Sequence, residues 1–141
     1  MKIAFICTGG TIDKDYASNK GTYNFEIAEP AVKRILKKIN PNFEYRIQSI
    51  LKKDSLDMDN TDREKVYEAC KIAPENKIIV THGTDTMIDT AKVLSRLKNK
   101  TIVLVGAAQP ERFVETDASF NVGGGWCCPG ASTRSLYCHE W

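Results

Sequence analysis

Two short stretches carry side chains that could do chemistry. Residues 7–12 read Cys-Thr-Gly-Gly-Thr-Ile, and residues 81–87 read Thr-His-Gly-Thr-Asp-Thr-Met. Each follows an apolar run that predicts a buried strand, and ligands of open α/β sheets bind at the carboxyl ends of the strands. A threonine hydroxyl becomes a nucleophile when a base takes its proton and donors stabilise the resulting oxyanion. We therefore expect Thr11, Thr84 and Asp85 to converge on one small polar ligand.

Each stretch taken alone also has an ordinary structural interpretation. Thr11 could cap a turn after the two glycines, and Asp85 could be the N-cap of a helix. A nucleotide site is the weaker hypothesis, because neither the dinucleotide fingerprint nor the P-loop pattern surrounds Gly9 and Gly10.

Strands and helices must alternate to bring these stretches together. The periodicity predicts strands over 2–7, 43–50, 77–81 and 101–105, and helices over 29–39, 61–72 and 86–97. Thr61 to Glu64 has the pattern of a capping box, and Ile88, Ala91 and Leu94 are expected to face inward from the last helix. Residues 13–24 are polar and predict a loop. This alternation indicates the α/β class, a parallel sheet flanked by helices.

The composition excludes several classes of protein. The chain has 141 residues, a net charge of +2 and 42% hydrophobic residues, which is typical of a soluble globular domain. Nothing argues for a nucleic-acid or membrane partner, and the basic residues at 33–38 predict a solvated helix face. The first apolar run is a strand and not an export signal, so we expect a cytoplasmic protein.

The two threonine stretches together resemble the signature motifs of the bacterial-type L-asparaginase (asparaginase/glutaminase) family. The segments 54–58 (Asp-Ser-Leu-Asp-Met), 105–110 (Val-Gly-Ala-Ala-Gln-Pro) and 117–121 (Asp-Ala-Ser-Phe-Asn) extend the resemblance, which runs from residue 2 to about 124. It implies hydrolysis of L-asparagine, or of L-glutamine, to the acid and ammonia. It also implies the larger part of the family's N-terminal α/β domain, with no cofactor and no metal.

The resemblance implies a role for each site residue. Thr11 matches the nucleophile, Thr84 the second catalytic threonine, and Asp85 the acid that binds the substrate amino group. Ser55 matches the serine that binds the α-carboxylate. Tyr23 matches the tyrosine that helps to activate the nucleophile, with Tyr16 as its competitor. The histidine of the second motif, His82, is expected to be structural, although a general-base role is the alternative.

Two parts of the family pattern are not found in the 141 residues. The family pairs its second threonine with a lysine farther along the domain, and Lys92 and Lys100 do not replace it by motif. The family's C-terminal domain, which completes the site in a homo-oligomer, is also absent. We therefore expect this chain to be a weak or inactive enzyme, a non-catalytic binder of aspartate or asparagine, or the relic of a defective gene.

The segment 125–141 does not resemble the family and predicts an irregular tail after a domain that spans 1–124. Residues 135–141, Ser-Leu-Tyr-Cys-His-Glu-Trp, can be encoded by nucleotides whose next frame reads Val-Tyr-Ile-Ala-Met-Asn-Gly. That peptide resembles the family strand at this distance, so we hypothesise a frameshift near Gly124. The alternative is a zinc site of Cys127, Cys128, Cys138 and His139, but the spacing is not that of structural zinc sites.

Overall fold

A parallel sheet with helices on both faces organises the chain. In the computed structural model, which describes residues 1–16 and 24–127 and the backbone of residues 135–139, five parallel strands run in the order β4-β1-β5-β6-β7. The strands are β1 (Lys2–Gly9), β2 (Lys14–Tyr16), β3 (Phe25–Ile27), β4 (Glu44–Lys53), β5 (Lys77–Thr81), β6 (Thr101–Val105) and β7 (Ser135–His139). The helices are α1 (Ala31–Ile39), α2 (Asn60–Ile72), α3 (Met87–Leu94) and α4 (Ala118–Cys127). The predicted α/β class is confirmed.

Strand β1 divides the core into two layers. Its side chains alternate between the faces of the sheet, so Ile3 and Phe5 pack with α1 and α4, whereas Ala4 and Ile6 pack with α2 and α3. Residues 3–9 of this strand are buried, as expected for a parallel sheet covered on both faces. The apolar run that predicted β1 therefore reflects burial on two sides.

Two helices begin at carboxylates. The backbone N–H of Ala31, at the start of α1, donates to Asp13 Oδ1 over 2.7 Å. Helix α2 begins with a capping box in which Asp59 and Asp62 each accept a hydrogen bond from the other's backbone N–H. The predicted capping box at Thr61 to Glu64 is therefore wrong by two residues, because Asp59 offers an equally good acceptor one half-turn earlier.

The polar segment after Thr11 is not entirely a loop. Strands β2 and β3 form an antiparallel pair in which Tyr16 lies opposite Phe25. The rings of these two residues stack with centroids 4.7 Å apart. The prediction of a loop over 13–24 is wrong for residues 14–16, and residues 17–23 lie outside the described part.

The segment 125–141, which was expected to be irregular, contains regular structure where the structure describes it. Helix α4 continues to Cys127, and residues 135–139 pair with β6 as β7. Helix α4 approaches the sheet closely at Gly125, where an added Cβ would lie 3.0 Å from Val105 Cγ1. The domain boundary at residue 124 stays a prediction.

Helix α3 is shorter than predicted, and one residue expected to face inward does not. Ala91 and Leu94 are buried as expected, but Ile88 is 45% exposed. Met87 and Thr90 are buried with Ala91 and Leu94, since residues spaced three and four apart share one face of a helix. None of the helices in the described part of the chain has the length and apolarity that a membrane crossing needs.

Candidate active site

Three loops meet at the carboxyl ends of β1, β4 and β5, and glycine makes the meeting possible. Gly10 has φ +85°, and a Cβ on it would lie 2.5 Å from the backbone N of Gly83. A Cβ on Gly83 would lie 2.6 Å from Ser55 Oγ. Since real Cβ atoms do not approach other atoms so closely, only glycine fits at positions 10 and 83, where the backbone of one loop packs against the next loop. The loops that carry Thr11, Ser55 and Thr84 are thereby held together.

Ser55 and Asp85 form the most direct side-chain contact of the site. The Ser55 hydroxyl donates to Asp85 Oδ2 over 3.5 Å, a long hydrogen bond. Thr86 Oγ1 donates to the carbonyl of Ser55 over 2.8 Å, which ties the turn after β4 to the loop after β5. Ser55 is buried, whereas Asp85 is exposed. An exposed carboxylate beside a held hydroxyl can accept hydrogen bonds from an ammonium group.

Both candidate threonines lie half-buried at the ends of their strands. Thr11 begins a short 3-10 turn, Thr11–Asp13, directly after Gly9 and Gly10. Thr84 follows Gly83 and precedes α3 by three residues. Tyr23 lies outside the described residues, so its role stays a prediction. Its competitor Tyr16 is 52% exposed on the hairpin formed by β2 and β3.

An ion pair joins that hairpin to the turn that carries Ser55. Lys14 Nζ lies 2.9 Å from Asp54 Oδ2. The hydrogen bond from Lys14 lowers the pKa of Asp54, which also accepts the N–H of Leu56 within the turn. The hairpin after Thr11 and the turn after β4 are therefore linked by a charge pair.

His82 is engaged at both ring nitrogens. Its Nδ1 lies 2.7 Å from the carbonyl of Gly83, and its Nε2 lies 2.8 Å from Thr90 Oγ1. A neutral ring with the proton on Nδ1 satisfies both partners, since the Thr90 hydroxyl then donates to Nε2. Burial lowers the pKa of this histidine. The geometry agrees with the structural role that we expected.

The two lysines considered as replacements for the family's lysine, Lys92 and Lys100, bind other groups. Lys92 pairs with Asp89 over 3.0 Å on the exposed side of α3. Lys100 donates to the carbonyls of Ala73 and Glu75, at the opposite end of the sheet. Neither supplies a base to Thr84, in line with the sequence argument.

Asp13 is a buried acid two residues from Thr11. Burial raises the pKa of Asp13 to about 6, although the N–H of Ala31 stabilises the carboxylate. The raised pKa means that the folded state favours the neutral acid more than the unfolded chain does. Sequence reasoning missed this residue, because nothing in the polar segment 13–16 distinguishes a buried aspartate from an exposed one.

Sequence reasoning also missed what Asp117 and Asn121 do. The segment 117–121 was recognised as resembling the family, but no role was assigned to its side chains. In the structure, Asp117 accepts backbone N–H groups of Ala108 and Gln109, and Asn121 donates to the carbonyl of Gly106. The available signal was an aspartate followed by an asparagine four residues later, the spacing at which side chains meet on one face of a helix.

A metal site is not assembled in the described residues. Among their His, Cys, Asp and Glu side chains, no group of three is placed to hold an ion. Cys127 is exposed, but Cys128 and the side chains of Cys138 and His139 lie outside the described residues. The zinc hypothesis for the tail stays a prediction.

Comparison with known proteins identifies the family. The family model described as "Asparaginase, N-terminal" matches residues 2–134. The glutaminase-asparaginase of Acinetobacter glutaminasificans is 30% identical in an alignment 129 residues long, and the match covers 85% of this chain and 39% of that protein.

Solved structures agree with the family. The thermostable L-asparaginase of Thermococcus kodakarensis matches with a TM-score of 0.76 and 24% identity, over 89% of this chain and 40% of that one. The probable cytoplasmic L-asparaginase of Campylobacter jejuni matches with a TM-score of 0.71 and 26% identity, over 88% of this chain and 40% of that one. This chain thus spans about two fifths of the length of these relatives. The family match covers nearly the whole sequence, so this chain belongs to the asparaginase family, in its N-terminal domain.

Proposed function

We propose that this chain carries an amide-hydrolysing site of the asparaginase type. The observation that carries the proposal is the direct contact between the loops of Thr11, Ser55 and Thr84, which Gly10 and Gly83 make possible. The site lies at the carboxyl edge of a parallel sheet, where this class of fold binds ligands. The substrate is L-asparagine or L-glutamine, in keeping with the printed name of the Acinetobacter relative.

In this proposal the Thr11 hydroxyl attacks the side-chain amide carbon. An ester bond forms between Thr11 Oγ and that carbon, the carbon–nitrogen bond breaks, and ammonia leaves with a proton. Water then attacks the ester, which releases L-aspartate or L-glutamate and restores the threonine. Thr84 and Tyr23 move protons between the hydroxyl and the leaving nitrogen.

Ser55 and Asp85 hold the amino-acid end of the substrate. The exposed Asp85 carboxylate pairs with the α-ammonium group, and the Ser55 hydroxyl donates to the α-carboxylate. Their contact of 3.5 Å supports the proposal, because it places both side chains within reach of one small ligand. This pair of side chains selects free amino acids, since a peptide bond at the amino group would remove the ammonium charge and one at the carboxyl group would remove the carboxylate charge.

A non-catalytic binder of aspartate or asparagine is the second candidate. It is favoured by the position of the lysines, because Lys92 and Lys100 bind other groups in the described part of the chain. A binder needs Ser55 and Asp85 but has no use for the Thr11 hydroxyl. We therefore expect ammonia release by this chain to be weak or absent.

Ammonia release and ligand titration separate the two candidates. The purified 141-residue chain is compared with Thr11→Ala, with Asp85→Asn, and with Thr61→Ala as a control on an exposed threonine of α2. Release from L-asparagine that is lost in Thr11→Ala and kept in Thr61→Ala establishes the hydrolase. L-Aspartate binding that survives Thr11→Ala but is lost in Asp85→Asn, without release, establishes the binder. If there is neither release nor binding, both proposals are overturned.

Three further proposals concern the location of the chain in the cell, its oligomeric state and the gene that encodes it. We propose a cytoplasmic location, in keeping with the printed name of the Campylobacter relative, which cell fractionation tests. The homo-oligomer implied by the family is tested by sedimentation of the purified chain. Sequencing the source gene tests the frameshift hypothesis, which fails if the codons for 135–141 do not encode the family-like peptide in the next frame.

A further inference from the structure

The loop that follows β6, residues 106–109, is held by a side chain from outside it. Asp117 accepts the backbone N–H of Ala108 over 3.0 Å and that of Gln109 over 3.2 Å. Burial raises the pKa of the Asp117 carboxyl, but its hydrogen bonds together, with those from Ala108 and Gln109 the largest, outweigh burial, so its pKa lies below the usual value. The backbone N–H groups of the loop thus stabilise the charged form of the Asp117 carboxylate.

Asn121 completes this arrangement from the first turn of α4. Its Nδ2 donates to Asp117 Oδ2 over 2.7 Å and to the carbonyl of Gly106 over 3.0 Å. Asn121 is only 2% exposed, so these hydrogen bonds are shielded from water. We call Asp117 and Asn121 together the loop clamp. The loop clamp forms hydrogen bonds with the backbone of three loop residues, Gly106, Ala108 and Gln109.

The loop over residues 106–109 packs closely against Thr84. A Cβ added to Gly106 would lie 2.9 Å from Thr84 Cγ2 and 2.8 Å from the carbonyl oxygen of His82. Gly106 therefore fits against the Thr84 methyl group with no space for even one more carbon. The backbone N–H of His82 also donates to the carbonyl of Val105 over 2.9 Å, which fixes the spacing of the two loops.

The position of the Thr84 methyl determines the position of its hydroxyl. Both groups are attached to the same Cβ, so a threonine whose methyl is confined to one place has a single χ1 rotamer. If the loop moved away, the methyl could occupy the vacated space and the hydroxyl would point elsewhere. A rigid loop beside Thr84 therefore fixes the direction in which the Thr84 hydroxyl points.

We propose that Asp117 and Asn121 are positioning residues, which act through Gly106 to hold the Thr84 hydroxyl in the direction that the site requires. The catalytic use of that hydroxyl rests on the proposed function, but its orientation does not. A clamp that merely stabilises the fold would lower the free energy of unfolding and leave the Thr84 rotamer unchanged. The orientation of Thr84 in a folded variant therefore distinguishes the two roles.

Methyl NMR of the full chain measures that orientation without substrate. Three-bond couplings from Thr84 Cγ2 to the backbone N and carbonyl carbon report the χ1 rotamer. Asp117→Asn removes one of the two acceptor oxygens that the loop needs, and Gly106→Ala perturbs the contact directly. Glu115→Gln is the matched control, since this exposed carboxylate makes no hydrogen bond in the described part of the chain.

We expect couplings of a single rotamer for Thr84 in the parent chain and in Glu115→Gln. In Asp117→Asn and in Gly106→Ala the couplings should shift towards averaged values, while those of Thr101, at the far end of β6, stay unchanged. Unchanged Thr84 couplings in folded Asp117→Asn would overturn the proposal. A response to Asp117→Asn without a response to Gly106→Ala would also overturn it, because the route through Gly106 would be wrong.

A second variant covers the case in which Asp117→Asn does not fold, as judged by circular dichroism. Asn121→Ala removes the hydrogen bond to Gly106 and leaves Asp117 on Ala108 and Gln109. It should shift the same Thr84 couplings, and a folded Asn121→Ala with parent couplings would overturn the proposal. Failure of ammonia release and of aspartate binding would overturn the proposed function alone, because the couplings are measured on the free chain.

Discussion

Replacing Gly10 by alanine should destabilise the domain strongly. Gly10 has φ +85° and ψ −177°, a conformation that is essentially restricted to glycine. The new Cβ would lie 2.5 Å from the N of Gly83, 2.6 Å from its Cα and 3.0 Å from the carbonyl carbon of His82. All three are backbone atoms of the loop after β5, so no side-chain rotation can relieve the overlap.

The cost has two sources. A residue other than glycine in this region of φ and ψ costs about 1–3 kcal/mol. Overpacking that forces the backbone to shift costs about 1–3 kcal/mol more. The expected loss is therefore about 2–6 kcal/mol, a large part of the roughly 5–15 kcal/mol by which a domain is stable.

Urea unfolding followed by circular dichroism measures this loss. Gly123→Ala is the matched control, because its Cβ would lie 3.8 Å from Trp126 Cζ2, in ordinary contact within α4. Alanine in a helix is favoured over glycine by about 0.5–1 kcal/mol, so this variant should gain stability. A Gly10→Ala chain within about 0.5 kcal/mol of the parent, the range of neutral surface changes, would refute the contact between the two loops.

Three further predictions concern buried or paired polar groups. Because burial raises the pKa of Asp13 to about 6, the folded state binds the proton more tightly than the unfolded chain, and stability falls as pH rises from about 4 to about 6. In urea unfolding, Asp13→Asn should have the same free energy of unfolding as the parent near pH 4, and one about 3 kcal/mol larger at pH 7. Equal stability of the two chains at both pH values would contradict this. Lys14→Gln should raise the pKa of Asp54, as measured by carboxyl NMR titration, and cost under about 1 kcal/mol because the pair is partly exposed. Thr90→Val leaves His82 Nε2 buried without its donor and should cost about 1–3 kcal/mol in the same unfolding assay, whereas Thr61→Val should not.

Strands β1, β5 and β6 could be predicted because each is an apolar run that is buried almost throughout. Residues 77–81 and 101–105 were predicted with the bounds that the structure has, and residues 2–7 form most of β1. Strand β2 could not be predicted in this way. Its three residues, Lys-Asp-Tyr, have a single partner strand and are largely polar, so no periodicity marks them.

The meeting of Thr11, Ser55 and Thr84 follows from the parallel sheet, but its details do not. Which side chain caps α2 depends on the first turn of that helix, where the Asp59 carboxylate and the Thr61 hydroxyl are both suitable acceptors. The hydrogen bonds from Ala108 and Gln109 to Asp117 depend on the path of the loop that connects these residues to Asp117. Sequence patterns indicate which face of a helix or strand is buried. They do not indicate the path that a loop takes between two such elements.

The strand order has a consequence for how the chain folds during synthesis. Strand β1 is made first, but its neighbours are β4 on one side and β5 on the other, and Ile3 pairs with Lys77. Pairings between residues so distant in sequence require large loops to close, which slows folding. Until β5 leaves the ribosome, the apolar strand β1 keeps one edge open, and open edges invite association with other chains. The edge of the sheet that binds ligand is thus completed late, so a chaperone that covers β1 early would favour productive folding.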